Sequence, residues 1–341
     1  MTTVNDLMAA LNVITGGRMV DSVEEAAQEN HPFVMWKDSG IYGKKILEIP
    51  GLIHGNPEQK IKKIAVCMTM TELGIELAGA TGVDAIVAHH PIADAASCGG
   101  VTLKDYLDLY GISALECHEA FHGLHPGIAY LHGHQVVKSD ISYGGVHGNV
   151  VFVGEVFPEV KTLGDMLRRL DAHMGLELEH DLLSYERDLK ACDDIHEASL
   201  LTKGRIHIGN ENSPVNKVLH IFPHTGFSKE NLYQAIKENP DVDTVLASIS
   251  RVYPGHELID AARSLGLNFL VGNSHVLEIL ENGMPLAYAL EQLLEGVEVV
   301  VFRDRVTSTP VRALGNQHLQ DYAERFSKEH LMGRNLISAC L

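Results

Sequence analysis

The chain has 341 residues, with 45 acidic against 27 basic side chains, a formal charge of −18 and 45% apolar residues. This describes an acidic globular protein, long enough for one large or two medium domains, and the negative surplus argues against nucleic acid or an anionic membrane as a partner. No apolar run approaches the roughly 20 residues of a membrane span, residues 1–16 lack a basic n-region, and five cysteines scattered without a CxxC pair argue against a disulfide framework or a zinc–thiolate site, so a cytoplasmic location is expected.

In chain order, Val4 to Val13 is a short amphipathic stretch that predicts a helix. The Gly- and Pro-punctuated stretches after it, such as Ile49-Pro50-Gly51 and His54-Gly55-Asn56-Pro57, predict irregular or edge-strand structure. Ile64 to Met68 reads as a strand, Thr71 to Thr81 as a helix with Leu73, Leu77 and Ala80 on one face, Gly82 as its C-cap, and Ala85 to Ala88 as a second strand. A helical crossover between two strands implies a parallel β-α-β unit. The same logic recurs in Thr102 to Tyr110 (helix, ended by Gly111), Ile112 to Glu116 (strand) and Gly127 to Leu131 (helix start after Pro126).

Gly144, Gly145, Gly148 and Gly154 cluster around Val150 to Val153, which places a domain boundary near residue 150. Beyond it, Leu163 to Gly175 is an amphipathic helix. Glu177 to Asp194 is charged and weakly patterned, and the 184–216 interval reads as loops or an insertion, with Ile206 to Ile208 as an edge strand. Val218 to Phe222, Asp243 to Ser248 and Asn268 to Val271 read as strands, separated by helices at Lys229 to Glu238 and Glu257 to Leu265. The tail carries an amphipathic stretch, His318 to Leu331, suited to packing on a neighbour.

Twenty histidines are the compositional anomaly, and imidazole is a common transition-metal ligand. In open α/β sheets ligands sit beyond the carboxyl ends of the strands. Three histidine segments fall at such ends: His89-His90-Pro91, His118-Glu119-Ala120-Phe121-His122, and His275-Val276-Leu277-Glu278. Spacings of three or four bring donor atoms to one side of a helical turn. His256 heads the helix Glu257 to Leu265, either as a cap neighbour or aimed toward the site.

Gly82-Val83-Asp84-Ala85-Ile86-Val87-Ala88-His89-His90-Pro91 resembles the Nif3-like (DUF34) family, whose hallmark is a strand ending in His-His-Pro. Tyr110-Gly111-Ile112 through Cys117-His118 is similar to its second ligand strand, Leu124-His125-Pro126-Gly127 to the helix start that follows, and Phe269-Leu270-Val271-Gly272-Asn273-Ser274-His275 to its last ligand segment. Trp36-Lys37-Asp38-Ser39-Gly40 is similar, more loosely, to its N-terminal element. The resemblance covers about residues 60 to 290 in the family's order.

It implies an α/β Nif3-like fold of two domains: a metal-binding core of residues 1–149 completed by the C-terminal segment 273–341, and a second α/β domain at 150–272. It also implies a homohexamer and a metal centre held by His89, His90, His118, His122, His275 and Glu278. Two positions depart from the family: His122 stands where it has Asp, and Glu278 follows His275 by three residues where it has four. A donor set of imidazoles with one carboxylate favours Zn, Fe, Mn or Co over Mg and Ca, and loss of a bridging carboxylate leaves one or two ions per chain open.

The activity implied is metal-dependent hydrolysis of a C–N bond in a small cyclic amide or N-heterocycle by metal-activated water, with Glu119 or His256 as acid–base groups. No nucleophile elbow is present to compete with it. The alternative is a non-catalytic, metal-binding hexameric scaffold or regulatory protein.

Overall fold

The computed structural model describes residues 1–20, 31, 33–38, 45–90, 101–118, 120–121, 127–146, 148–223, 226–248 and 252–332. Two compact units emerge: residues 1–174 with 203–304, and residues 175–202 with 305–341. In the first unit the chain runs through α1 (Val4–Ile14), β1 (Met35–Asp38), β2 (Lys45–Glu48), β3 (Gly51–His54), β4 (Lys63–Cys67), α2 (Glu72–Thr81), β5 (Ala85–Ala88), α3 (Val101–Tyr110), β6 (Ser113–Glu116), α4 (Gly127–Leu131), β7 (His134–Asp140), β8 (Val151–Val156) and α5 (Leu163–His173). The second unit begins with α6 (Leu176–Lys190), β9 (His196–Glu197) and α7 (Ala198–Leu201). The first unit resumes with β10 (Arg205–Ile208), β11 (Lys217–Ile221), α8 (Lys229–Glu238), β12 (Thr244–Ala247), α9 (Glu257–Ser264), β13 (Asn268–Val271), α10 (Met284–Leu293) and β14 (Glu298–Val301); β15 (Thr307–Ser308) and α11 (Gln317–Phe326) return to the second.

The first sheet has the order β14-β4-β5-β6-β3. Its first four strands are parallel and β3 closes the edge antiparallel to β6. Strand alternation divides its side chains cleanly. Ile64, Val66, Val87 and Leu115 pack with Leu7 and Leu11 of α1 and Leu286 and Leu290 of α10, whereas Ala65, Cys67, Ile86 and Ala114 pack with Ile75, Ala78, Leu103 and Leu107 of α2 and α3. The α2 helix lies where the spacing places it, but its buried row is Ile75 and Ala78, and Leu73 and Leu77 face outward. Two apolar rows compete on this short helix, and the sheet takes the one carrying the β-branched side chain.

The second sheet has the order β10-β13-β12-β11-β8-β7, with β11, β12 and β13 parallel and β7, β8 and β10 antiparallel to their neighbours. Thr162 and Ser228 begin α5 and α8 with reciprocal capping boxes to Asp165 and Asn231, each such cap contributing about 1 kcal/mol. Residues 134–140, assigned from sequence to the first half, are the edge strand β7 of this second sheet. The C-terminal segment also divides: residues 284–301 complete the first sheet through α10 and β14, and residues from 305 onward group with 175–202.

The 15-residue helix α6 replaces the weakly patterned segment expected at 177–194. Leu176 and Leu183 are buried while Leu178, Leu182, Tyr185 and Leu189 form a separate exposed row, so no single-face periodicity stands out. Its C-terminal end is fixed by the Arg187 guanidinium donating to the Ile195 carbonyl at 2.8 and 2.6 Å. The tail stretch forms α11 and a following turn, none of it buried. No helix among the described residues is long and apolar enough to cross a membrane.

Between α4 and the second sheet lies a buried row of imidazoles. His132 Nδ1 donates to the Ile128 carbonyl (2.7 Å), so its Nε2 accepts, facing Ser248 Oγ at 3.5 Å and the Asn273 N–H at 3.4 Å. One consistent proton assignment follows: Ser248 Oγ accepts from His220 Nε2 (2.7 Å), and His220 Nδ1 accepts from His134 Nε2 (3.0 Å). A side chain at Gly154 or Gly272 would overlap His134 or His132, so these glycines let the rings lie against backbone. Burial keeps all three neutral, pushing His132 down to about 4, His134 to about 3 and His220 well below the ordinary range.

Because the unfolded imidazoles take up protons near pH 6.5 and the folded ones do not, this row supports stability above that pH and loses it as pH falls toward about 3. For one ring moved to about 4 the loss at about pH 5 is on the order of 2 kcal/mol. The urea midpoint is expected to fall between pH 7 and pH 5 and to fall less in His220→Phe. Equal pH dependence in the two proteins would contradict this assignment.

Candidate metal centre

Strand β5 runs directly into His89 and His90, and its pairing with the β4 segment continues past it: the N–H of His89 donates to the Cys67 carbonyl (2.9 Å) and that of His90 to the Met68 carbonyl (2.8 Å). Both rings are buried. His89 Nδ1 donates to the Cys117 carbonyl (3.1 Å), and His90 Nδ1 is held by Thr69 Oγ1 (2.8 Å). These outer contacts leave each Nε2 directed at Glu278: His89 Nε2 lies 3.4 Å from Oε1 and His90 Nε2 3.1 Å from Oε2. His275 Nδ1 lies 3.0 Å from the same Oε2, and its ring stacks on His90 at 4.4 Å.

His275 opens a 3-10 turn, His275–Leu277, and Glu278 stands where that turn passes into the π-helical turn Ile279–Gly283. Residues three apart eclipse one another in a 3-10 turn. A spacing of three is therefore sufficient to set the Glu278 carboxylate over His275, where an α-turn would use four. His275 is 51% exposed at its side chain and provides the solvent side of an otherwise buried group.

The donor chemistry fits a cation. A carbonyl only accepts, so His89 carries its proton on Nδ1, and its Nε2 lone pair confronts a carboxylate oxygen. Two acceptors face each other there, and a proton or a metal ion must lie between them. Burial opposes ionisation of Glu278, but with a proton in that place the hydrogen bonds and charge of His89 and His90 outweigh it and hold the carboxyl well below the usual range. Glu281, one turn later, shows the opposite: burial and the nearby Glu278 charge raise it well above that range, against the Asn273 side-chain amide that donates to it. Two neighbouring carboxyls are thus pushed in opposite directions.

Of the residues singled out from sequence, His89, His90, His275 and Glu278 come together around one carboxylate, and the ligand atoms of His90, His275 and Glu278 lie within 4.8 Å of one another. His118 adjoins them, its ring 5.0 Å from that of His89 and 5.6 Å from that of His90. His122 and Glu119 lie outside the described residues. His256 is the N-cap of α9: its Nδ1 accepts from the Leu258 N–H (3.2 Å) and its ring packs on Tyr253, and among the described residues these contacts are local to its own turn. Sequence reasoning missed Thr69 and Glu48. Glu48, fully buried at the end of β2, places Oε1 3.2 Å from His118 Nδ1; its only signal is an acid closing a short strand.

Residues 46–95 match the Duf34/NIF3 (NGG1p interacting factor 3) family, and no curated protein matches the chain by sequence. The fold is similar to that of a Bacillus cereus protein related to NIF3 (TM-score 0.57, 11% identity, 91% of this chain and 99% of that one). It is also similar to reduced HcgD from Methanocaldococcus jannaschii (0.53, 17%, 88% and 97%) and to the Staphylococcus aureus hypothetical protein SA1388 (0.54, 14%, 88% and 96%). The architecture and its histidine–glutamate cluster are those of an α/β protein with a potential metal centre. Residues 46–95 thus match the Duf34/NIF3 family, and the fold over most of the chain is similar to that of Nif3-related structures.

Glu278→Gln, which keeps the shape and removes the charge, is expected to lower affinity for Zn2+ or Mn2+ by at least about a hundredfold, whereas His256→Ala should leave it unchanged. Metal analysis after equilibrium dialysis checks both. Retention of wild-type metal by Glu278→Gln would count against the site.

Proposed function

We propose that the protein is a metal-dependent hydrolase that opens a C–N bond in a small cyclic amide or N-heterocycle, working in the cytoplasm as a homohexamer. The observation that carries this reading is the buried Glu278 carboxylate, confronted by three imidazole nitrogens of which one belongs to the half-exposed His275. His89, His90, His275 and Glu278 would hold the ion, with His118 beside them and His122 as a further ligand by resemblance. Nitrogen and oxygen donors in this ratio suit Zn, Fe, Mn or Co, one or two per chain. Such an ion supplies a Lewis acid for a carbonyl and lowers the pKa of water.

The chain's own residues prepare that chemistry. The Cys117 carbonyl and Thr69 fix the faces that His89 and His90 present, and outer contacts of this kind set ligand orientation and basicity. The surroundings favour the ionised form of Glu278 and the protonated form of Glu281 beside it. His256 already spends Nδ1 on its helix cap, which makes Glu119, next to His118, the first residue to test as the acid–base group.

A second reading, a metal-binding scaffold, draws on the exposed row Leu178, Leu182, Tyr185 and Leu189 along α6, an apolar surface suited to a protein partner. A screen of small cyclic amides and N-heterocycles separates the two. Under the hydrolase reading, turnover requires added metal and falls at least about a hundredfold in His89→Ala. Full metal loading with no turnover across the screen, together with a stable partner on α6, would favour the scaffold.

A further inference from the structure

We infer that Glu48 is a positioning residue of the metal centre: its carboxylate accepts a hydrogen bond from the Nδ1–H of His118 and so makes Nε2 the atom that this imidazole offers to the ion. The inference rests on the metal centre proposed above and concerns a residue outside the expected ligand set.

Glu48 is fully buried, a costly place for a carboxylate unless a partner compensates it. Its Oε1 lies 3.2 Å from His118 Nδ1, and a carboxylate accepts only, so the contact selects the Nδ1–H tautomer. The two neighbouring rings obey the same rule. His89 has Nδ1 on the Cys117 carbonyl, His90 has Nδ1 on Thr69 Oγ1, and both direct Nε2 at Glu278. His118 lies within 5.0 and 5.6 Å of these rings, so three adjacent imidazoles share one construction, each with Nδ1 held by an outer oxygen.

The backbone explains how Glu48 reaches this place. The N–H of Ile49, the next residue, donates to the Glu116 side chain, and Gly51 of β3 pairs with Glu116 at the end of β6. Glu116 thereby buckles the segment after β2 to the segment that carries Cys117 and His118. Of the three outer partners, Glu48 alone is a carboxylate. A carboxylate orients an imidazole and also raises its basicity toward a metal, so its removal should weaken binding through His118 rather than delete a ligand.

The test uses the full chain and Zn2+ alone, titrated in competition with a chromophoric chelator, for wild type, His90→Ala, His118→Ala, Glu48→Ala, Glu48→Gln and the Glu48→Ala/His118→Ala pair. Glu48→Ala is expected to weaken Zn2+ binding about 10- to 100-fold with the number of ions per chain unchanged. Glu48→Gln, whose amide oxygen still accepts from Nδ1 and whose shape protects folding, should recover part of that loss. The double variant should bind no more weakly than His118→Ala, since Glu48 acts through that ring.

Additive losses, or loss of a whole ion in both Glu48 variants, would make Glu48 a ligand in its own right and overturn the positioning role. Unchanged affinity in Glu48→Ala, with His90→Ala still impaired, would overturn this inference and leave the metal centre standing. Wild type that binds no Zn2+ would overturn both.

Discussion

A carboxylate buried among imidazole nitrogens governs this molecule. Glu278 is enclosed by His89, His90 and His275, and those residues come from two distant stretches of chain. The segment after β13 must therefore leave the second sheet and return to the carboxyl end of β5 in the first. It does so through a 3-10 turn and a π-helical turn that run into α10, after which β14 pairs with β4. The distorted helix start is the local consequence of meeting both demands, ligand placement and sheet closure, within a few residues; π-turns are often found where a functional side chain needs re-aiming.

The second sheet is tied to the same segment by the buried imidazole row. The backbone N–H of Asn273 reaches His132, and the Asn273 side chain donates to Glu281. One residue thus joins the row behind the second sheet to the Glu281 carboxyl beside Glu278. Gly272 precedes it, and the close approach of His132 requires a residue there without a side chain. Burial disfavours the charged form of each ring, which accounts for histidines remaining neutral inside a core.

Much of this was legible from residue pattern. The β4-α2-β5 unit could be read because both strands are continuous apolar runs, as parallel strands covered on two faces must be, and because Gly82 marks the helix end. The histidines could be placed because they follow such runs directly. Glu48 could not, since its role comes from a pairing of β3 with β6 that brings it to a histidine 70 positions later in the chain. The α6 helix escaped because its buried and exposed leucines occupy separate rows, and the burial of Ile75 over Leu73 depended on which row the sheet would cover. The spacing of three between His275 and Glu278 departs from the family's four, and the 3-10 turn supplies its physical reason.

The central claim is that Glu278 and its imidazoles are metal ligands, and the coordination shell of the bound ion addresses it most directly. X-ray absorption at the metal edge of the loaded protein should show a first shell of nitrogen and oxygen at about 2.0 to 2.2 Å, with the outer-shell scattering of several imidazoles, and that imidazole signal should diminish in His90→Ala. A shell dominated by sulfur, or one without imidazole scattering, would contradict the account.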